Sequence, residues 1–390
     1  MTTSSSAGLI LVAAAAFLLP IAAGRLRMPA VVFEIVFGIA VGPVLGLVPP
    51  DPLLDALAGL GFLLLLFLAG FEIDLGVFER QGSGPVGFAV LAFGATIVAA
   101  FAATRALGLD PFMTLVLATT SVGLVVPTLR TTRWMSTPLG QDILLGALVA
   151  DLLSLVGVTV IALAQERGPG QAVLALPAFL AIWVGGLLLV RRAAWWWPEA
   201  FARLFEEDDP DELGIRFSLA LMLGSAGLAT VLGIEPILGA FLAGIGVAAV
   251  FRVRGGLDRK LAGFAYGFLI PIFFIDVGIG FRLDAVADLD ALGFTILLFL
   301  VATAVKVAPS LLLVLRRHPL RDAVAAGFLL SARLSLIIVV AELGNRLGVI
   351  DPRLEAEIIL LAAVSATAAP VLFRWTAGSR PIEPAPERPT

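Results

Sequence analysis

Residues 146–157 read GALVADLLSLVG, a run of apolar and small residues broken by one carboxylate, Asp151. The apolar run continues on both sides, from about residue 140 to 163. That is long enough to cross a hydrocarbon core, which takes roughly 20 residues per helix. The rest of the composition agrees. Hydrophobic residues fill 59% of the 390 positions, charged ones 14%, and the mean hydropathy is +1.03. A soluble domain carries about a quarter charged residues, so this chain has too few to cover a water-facing surface. The expected fold class is therefore an all-α membrane protein, with Asp151 at membrane depth.

Working outward, apolar runs between charged or Pro/Gly-containing turns give about thirteen candidate transmembrane helices. They lie near 7–24, 29–48, 54–72, 84–107, 111–131, 140–163, 171–191, 214–231, 235–252, 260–281, 290–316, 319–348 and 354–375. The first run has no basic residues before it, so it reads as a retained helix rather than a cleaved signal peptide. The one long polar connection, Pro198 to Glu212, contains the acidic run Glu206 to Asp209. Residues 1–378 form the expected transmembrane domain, with no soluble regulatory domain appended, and 379–390 read as a disordered tail.

The basic residues test this topology. With the N-terminus outside and the C-terminus cytoplasmic, nineteen of the 26 Lys and Arg residues fall in cytoplasmic loops or the tail. Five fall on the other side, and the remaining two, Lys306 and Arg333, fall inside helices. That bias follows the positive-inside rule and fits an inner (plasma) membrane protein. The basic residues track the membrane and form no stripe, so nucleic acid is not an expected partner. Two stretches also look alike: Pro29–Pro43 (PAVVFEIVFGIAVGP) and Glu235–Val247 (EPILGAFLAGIGV) are small-residue helices of opposite direction. Helices 2–6 (about 29–163) and 9–13 (about 235–375) are thus candidates for two inverted five-helix repeats.

An ionisable group at bilayer depth costs ~3 kcal/mol or more, so it persists only where it is paired, hydrated or used. Asp151, Lys306 and Arg333 are the three that stand deepest. They form either a buried ion pair that sets helix packing or a carboxylate that binds a proton or a monovalent cation, with basic partners balancing the empty site. The helix before Asp151 carries Thr120, Ser121 and then Pro127. A helix-interior proline frees a backbone carbonyl, so a helix break at Pro127 would add carbonyls to the two hydroxyls as cation ligands. There is no cysteine, and the single histidine, His318, stands in a basic turn with Arg316, Arg317 and Arg321. Thiolate or histidine metal clusters and His-dependent catalysis are excluded by count, so neither an enzyme nor a resident cofactor is expected. A passive cation channel would want an acidic ring or a repeated carbonyl filter, and neither motif is present.

Several motifs carry a family resemblance that covers essentially every helix. Arg27-Met28-Pro29 through Gly42-Pro43, with Glu34 at the acidic position, is similar to the second helix of the monovalent cation/proton antiporter superfamily, in its bacterial sodium/proton and Kef-type potassium/proton branch. Leu66 to Glu72 resembles that family's third helix, and Thr120-Ser121-Val122-Gly123 its unwound helix. Gly239 to Gly244 (GAFLAG) and Pro271-Ile272-Phe273-Phe274 with Gly278 complete the series. The resemblance implies a homodimer of two-domain protomers, in which helices 4–6 and 11–13 form a mobile core with crossed broken helices and the others a dimerisation domain. It places Asp151 at the essential ion-binding aspartate and Lys306 at its basic partner, with Na⁺ or K⁺ and H⁺ as substrates moved by elevator-type alternating access. Glu34 and Glu72 are membrane acids without an assigned role.

Three positions depart from the family pattern. Ala150 stands where an Asp, Asn or Gln usually precedes the aspartate. Arg333-Leu334-Ser335 replaces an Arg-Gly-Glu. Asp276 replaces a serine, and it either substitutes for the lost acid as a partner of Lys306 or faces a hydrated cleft. A relative that kept the fold without transport, acting as a sensor or scaffold, is the rival reading these departures raise.

Overall fold

The computed structural model describes residues 3–26, 30–49, 51–71, 83–197, 199, 211–251, 256–283 and 289–378. Glu72 and the tail 379–390 lie outside them. Among the described residues the regular elements are all helical. In chain order they are α1 (Thr3–Leu26), α2 (Ala30–Ile39) running into a π turn (Ala40–Val44), α3 (Pro52–Phe71) and α4 (Ser83–Ala106). Next come α5 (Met113–Ala118), α6 (Val122–Thr131), α7 (Pro138–Arg167), α8 (Pro169–Trp196), α9 (Leu213–Val231) and α10 (Pro236–Phe251). Then follow α11 (Leu257–Phe264), a π turn (Ala265–Leu269), α12 (Ile270–Ile279) and α13 (Leu289–Ser310) with a 3₁₀ extension (Leu311–Arg316). The last are α14 (Leu320–Leu330), α15 (Ser335–Arg346) and α16 (Pro352–Ala377).

Prolines open α3, α7, α8, α10 and α16, where the missing N–H costs nothing and the fixed φ suits the first turn. Gly378, at φ 73°, ends α16 in the left-handed conformation that suits a helix C-terminus. Among the described residues ten spans are long and apolar enough to cross a membrane, α5 and α6 together counting as one. The apolar segments Ala30–Val44 and Pro236–Ala249 are shorter. The chain is an integral membrane protein. Over most of its described residues each of the thirteen apolar stretches falls on helix, and two of them, 111–131 and 319–348, fall on helix pairs interrupted near their middles.

The chain divides into two compact units. The first comprises residues 1–82, 152–296 and 338–360. It is held by glycines that let helix backbones touch, the usual device where lipid tails offer no hydrophobic driving force. A Cβ on Gly38 of α2 would lie 2.1 Å from the carbonyl of Ile275 on α12, and one on Gly278 would lie 2.2 Å from that of Ile35. The same mutual contact joins α3 and α10: a Cβ on Gly70 would lie 2.0 Å from Phe241 O, and one on Gly244 1.9 Å from Phe67 O. Gly38 and Gly244, one from each of the look-alike stretches 29–43 and 235–247, are among these contact points. Phe62 and Phe273 stack at 5.0 Å between α3 and α12. Gly244→Val must therefore push α3 and α10 apart. We expect a loss of at least the ~1–3 kcal/mol typical of overpacking, read as a lowered unfolding temperature in detergent, whereas Gly224→Val on α9, with nothing within 4 Å, should leave it unchanged.

The second unit comprises residues 83–151, 297–337 and 361–390. It holds α4 to α6, the first half of α7, the second half of α13, α14 and the second half of α16. Gly327 of α14 sits against Val307 and Ser310 of α13, where a Cβ would lie 2.5 Å from Val307 Cα. Ser310 also donates to Ala323 O at 2.8 Å. At one end of this unit Asp142 receives Arg316 at 3.2 Å and His318 at 2.9 Å. There Trp134 Nε1 also donates to Gly378 O at 2.8 Å. His318, which the sequence placed in a basic turn, thus helps to fix the start of α7 against the end of α13.

Candidate functional site

The second unit contains both helix interruptions. α5 stops at Ala118 because Thr119 turns to ψ 154° and Ser121 is extended at φ −135°, ψ 107°. The interruption lies at Thr119–Ser121, upstream of Pro127, which sits inside α6 with the helix running through it. α14 stops at Leu330, and the chain runs through Ser331, Ala332, Arg333 and Leu334 before α15 begins. No glycine marks this second break. It forms although the Gly and Glu of the resembled motif are replaced by Leu334 and Ser335.

A helix that ends inside a membrane exposes carbonyls without intrahelical partners, and a helix that begins there exposes N–H groups. At bilayer depth each must be satisfied by protein or water. Two buried cations do this for the C-terminal end of α5. Arg333 Nη2 donates to Leu117 O at 2.7 Å and to Ala302 O at 2.9 Å, while Nη1 donates to Ser331 O at 3.0 Å. Lys306 Nζ donates to Ala118 O at 2.5 Å and to Thr120 Oγ1 at 2.7 Å. Thr120 passes its own proton to Leu330 O at 3.1 Å, which is the C-terminal end of α14. The two breaks are thereby tied to each other through one hydroxyl and one guanidinium. Ser365 of α16 donates to Arg333 O at 3.2 Å and holds the second break from behind.

Asp151 serves the opposite pole. Its Oδ2 accepts from the backbone N–H of Val122 at 3.2 Å, the first residue of α6. The helix macrodipole makes each arrangement favourable: cations at the carbonyl end of α5, an anion at the amide end of α6. Lys306 and Arg333 are 4% and 0% exposed, and Thr120 and Ser121 are as deeply buried, whereas Asp151 is half-buried. The set thus presents one reachable carboxylate, backed by two inaccessible positive charges that are satisfied by dipoles. Such a carboxylate can bind a proton or a small cation.

Ala150 is buried and lines a cavity of about 50 Å³ together with Lys306, Thr120, Thr96 and Ser310. That is room for a few waters at most. Among the other expected residues, Glu34 is buried on α2 in the first unit. Asp276, on α12 of that unit, lines a cavity of about 400 Å³ with Asp55, Glu342 and Glu355, which suits a hydrated cleft. The groups that sequence could not single out are main-chain ones, the carbonyls of Leu117, Ala118, Ala302, Ser331 and Leu330. No side-chain letter marks a carbonyl that a neighbour will claim.

Residues 12–377 match the family described as the transmembrane sodium/hydrogen exchanger. YjbQ of Bacillus subtilis (strain 168), provisionally named a Na⁺/H⁺ antiporter, is 31% identical over 396 residues, covering 96% of this chain. The chain spans 63% of the length of that protein. The Na⁺/H⁺ antiporter of Enterococcus hirae is 26% identical over 359 residues, covering 90% of this chain and 92% of its own. Among solved structures, the sodium proton antiporter MjNhaP1 of Methanocaldococcus jannaschii at pH 8 has the same fold. Its TM-score is 0.67 at 16% identity, covering 95% of this chain and 96% of that one. The chain belongs to the sodium/hydrogen exchanger family, a family of membrane transporters and not of enzymes.

Proposed function

We propose that this protein exchanges a monovalent cation, Na⁺ or K⁺, for H⁺ across the membrane, with Asp151 carrying the two ions in turn. The observation that carries the reading is the half-buried Asp151 carboxylate at the start of α6, facing a broken-helix crossing whose own charges are already satisfied. Ser121 and Thr120 flank it as further oxygen ligands, and Lys306 and Arg333 hold the charge balance when the site is empty. A proton and a cation compete for one carboxylate, which is the minimum chemistry of coupled exchange. All of these residues belong to the second unit, so movement of that unit would carry the ion in an elevator-type cycle. The names of the relatives favour sodium, and K⁺ remains the second candidate.

The wider architecture follows the same reading: thirteen spans, the N-terminus outside and the C-terminus cytoplasmic, a homodimer, and inverted repeats over helices 2–6 and 9–13. The paired contacts of α2 with α12 and of α10 with α3 support the repeat, because exchanging the two repeats exchanges those contacts. Purified protein in proteoliposomes with an imposed pH gradient tests the function. Addition of Na⁺ or K⁺ should drive proton movement, with saturation in the cation. Intact, folded protein that moves neither ion would instead identify a transport-silent sensor or scaffold, and cation flux without proton coupling a passive channel.

A further inference from the structure

α8 and α9 run side by side in the first unit, and between them and α10 lies an apolar groove with about 270 Å³ of space. Trp183 and Leu187 form its α8 wall, Ala220, Gly224 and Leu228 its α9 wall, and Gly246 contributes from α10. Each wall residue follows its neighbour by four positions, so each wall is a single helical stripe. Continued by one more turn toward the same end of the groove, the α8 stripe reaches Arg191 and the α9 stripe reaches Arg216. Both arginines are exposed. Arg216 is the single charged residue of α9, and from Pro169 to Val190 α8 carries none. No charged residue lines the groove, and each of its two stripes runs on to an exposed arginine one turn beyond the lining.

That end has the other marks of a membrane–water boundary. Trp195, Trp196 and Trp197 are 74%, 55% and 61% exposed, as rings of an interfacial belt are. Arg192 is held over Trp196, 4.7 Å from the ring centroid. Glu212, the acid one turn before Arg216, already receives Lys260 at 2.9 Å. From Leu228 to Arg216 the α9 wall is about 18 Å long at 1.5 Å per residue, close to the ~15 Å of one leaflet of hydrocarbon.

We propose that this groove is a binding site for an anionic phospholipid, one acyl chain lying between α8 and α9 and the headgroup phosphate between Arg191 and Arg216. The length, the two arginines one turn beyond the lining and the tryptophan belt each match an amphiphile of that polarity. A second copy of this chain is the other occupant that such a face admits, and the test below separates the two.

The test compares phosphatidylglycerol with phosphatidylcholine of identical acyl chains, counted by native mass spectrometry of the detergent-purified protein. Wild type should retain phosphatidylglycerol at least fivefold more tightly. Arg191→Gln combined with Arg216→Gln should reduce that preference below twofold. Gly224→Leu should abolish retention of both lipids: a Cβ at Gly224 meets nothing within 4 Å, so the larger side chain fills the groove without displacing the fold. Equal retention of the two lipids by wild type, or undiminished retention by Gly224→Leu, would overturn the proposal. So would a Gly224→Leu protein that turns monomeric in light scattering while its lipid count stays the same, since that result makes the groove an interface between copies.

Discussion

Asp151→Asn should abolish cation-driven proton movement, by at least a hundredfold in initial rate, while leaving expression and the unfolding temperature close to those of the parent. Asparagine keeps the shape, and its carbonyl oxygen can still accept from the N–H of Val122. What it loses is the ability to take up a proton or offer a full negative charge to a cation. The fold should survive because Lys306 and Arg333 lean on carbonyls of Leu117, Ala118, Ala302 and Ser331 and on the Thr120 hydroxyl. Asp151→Glu keeps the charge but lengthens the arm by one methylene, so it should retain measurable but slower exchange with a changed cation preference. Proteoliposomes loaded with a pH-sensitive dye measure both variants. Full exchange by Asp151→Asn would remove Asp151 as the carrier.

Which parts of this site were legible in the sequence follows from what each part is made of. Asp151, Lys306 and Arg333 stood out because a charge inside an apolar run is costly enough to demand an explanation. The glycines of α2, α3, α10 and α12 were legible as a pattern but not as partners. That Gly38 meets Ile275 and Gly244 meets Phe67 is a property of tertiary packing. The proline alone points to a first break at Pro127, whereas the family resemblance puts the unwound stretch at Thr120–Gly123; the break lies at Thr119–Ser121. A proline inside a helix frees one carbonyl and can be carried along, whereas a full interruption needs partners for several backbone groups at once. Those partners, Lys306 and Arg333, come from residues nearly two hundred positions away or more. The second break has no Gly or Pro in its loop. It is stabilised by Arg333 turning back onto Ser331 O and by the Ser331 hydroxyl bonding Phe328 O at 2.7 Å. Only the family resemblance pointed to it. His318 reads in sequence as part of a basic turn because its partner, Asp142, is 176 residues away.

Ala150→Asp should turn an electrically silent exchange into one that carries current. In the parent chain Asp151 is the carboxylate that receives the first N–H of α6, and Lys306 donates to the neutral oxygens of Ala118 and Thr120. With Lys306 remaining an ammonium throughout, one proton leaves Asp151 for each monovalent cation that arrives, and no net charge crosses. Position 150 opens onto the same small cavity as Lys306, so a carboxylate placed there can pair with Lys306 in one half of the cycle and take up a second proton in the other. Two protons against one cation then move one net charge per turnover. At a membrane potential of 100 mV that charge is worth about 2.3 kcal/mol, which shifts the equilibrium cation ratio by about fiftyfold. Proteoliposomes with pH gradient and potential clamped separately would show it: the parent rate should ignore potential, and the Ala150→Asp rate should follow it. A current on a solid-supported membrane that scales with turnover in the parent would sink the electroneutral assignment and make Lys306 the second proton carrier.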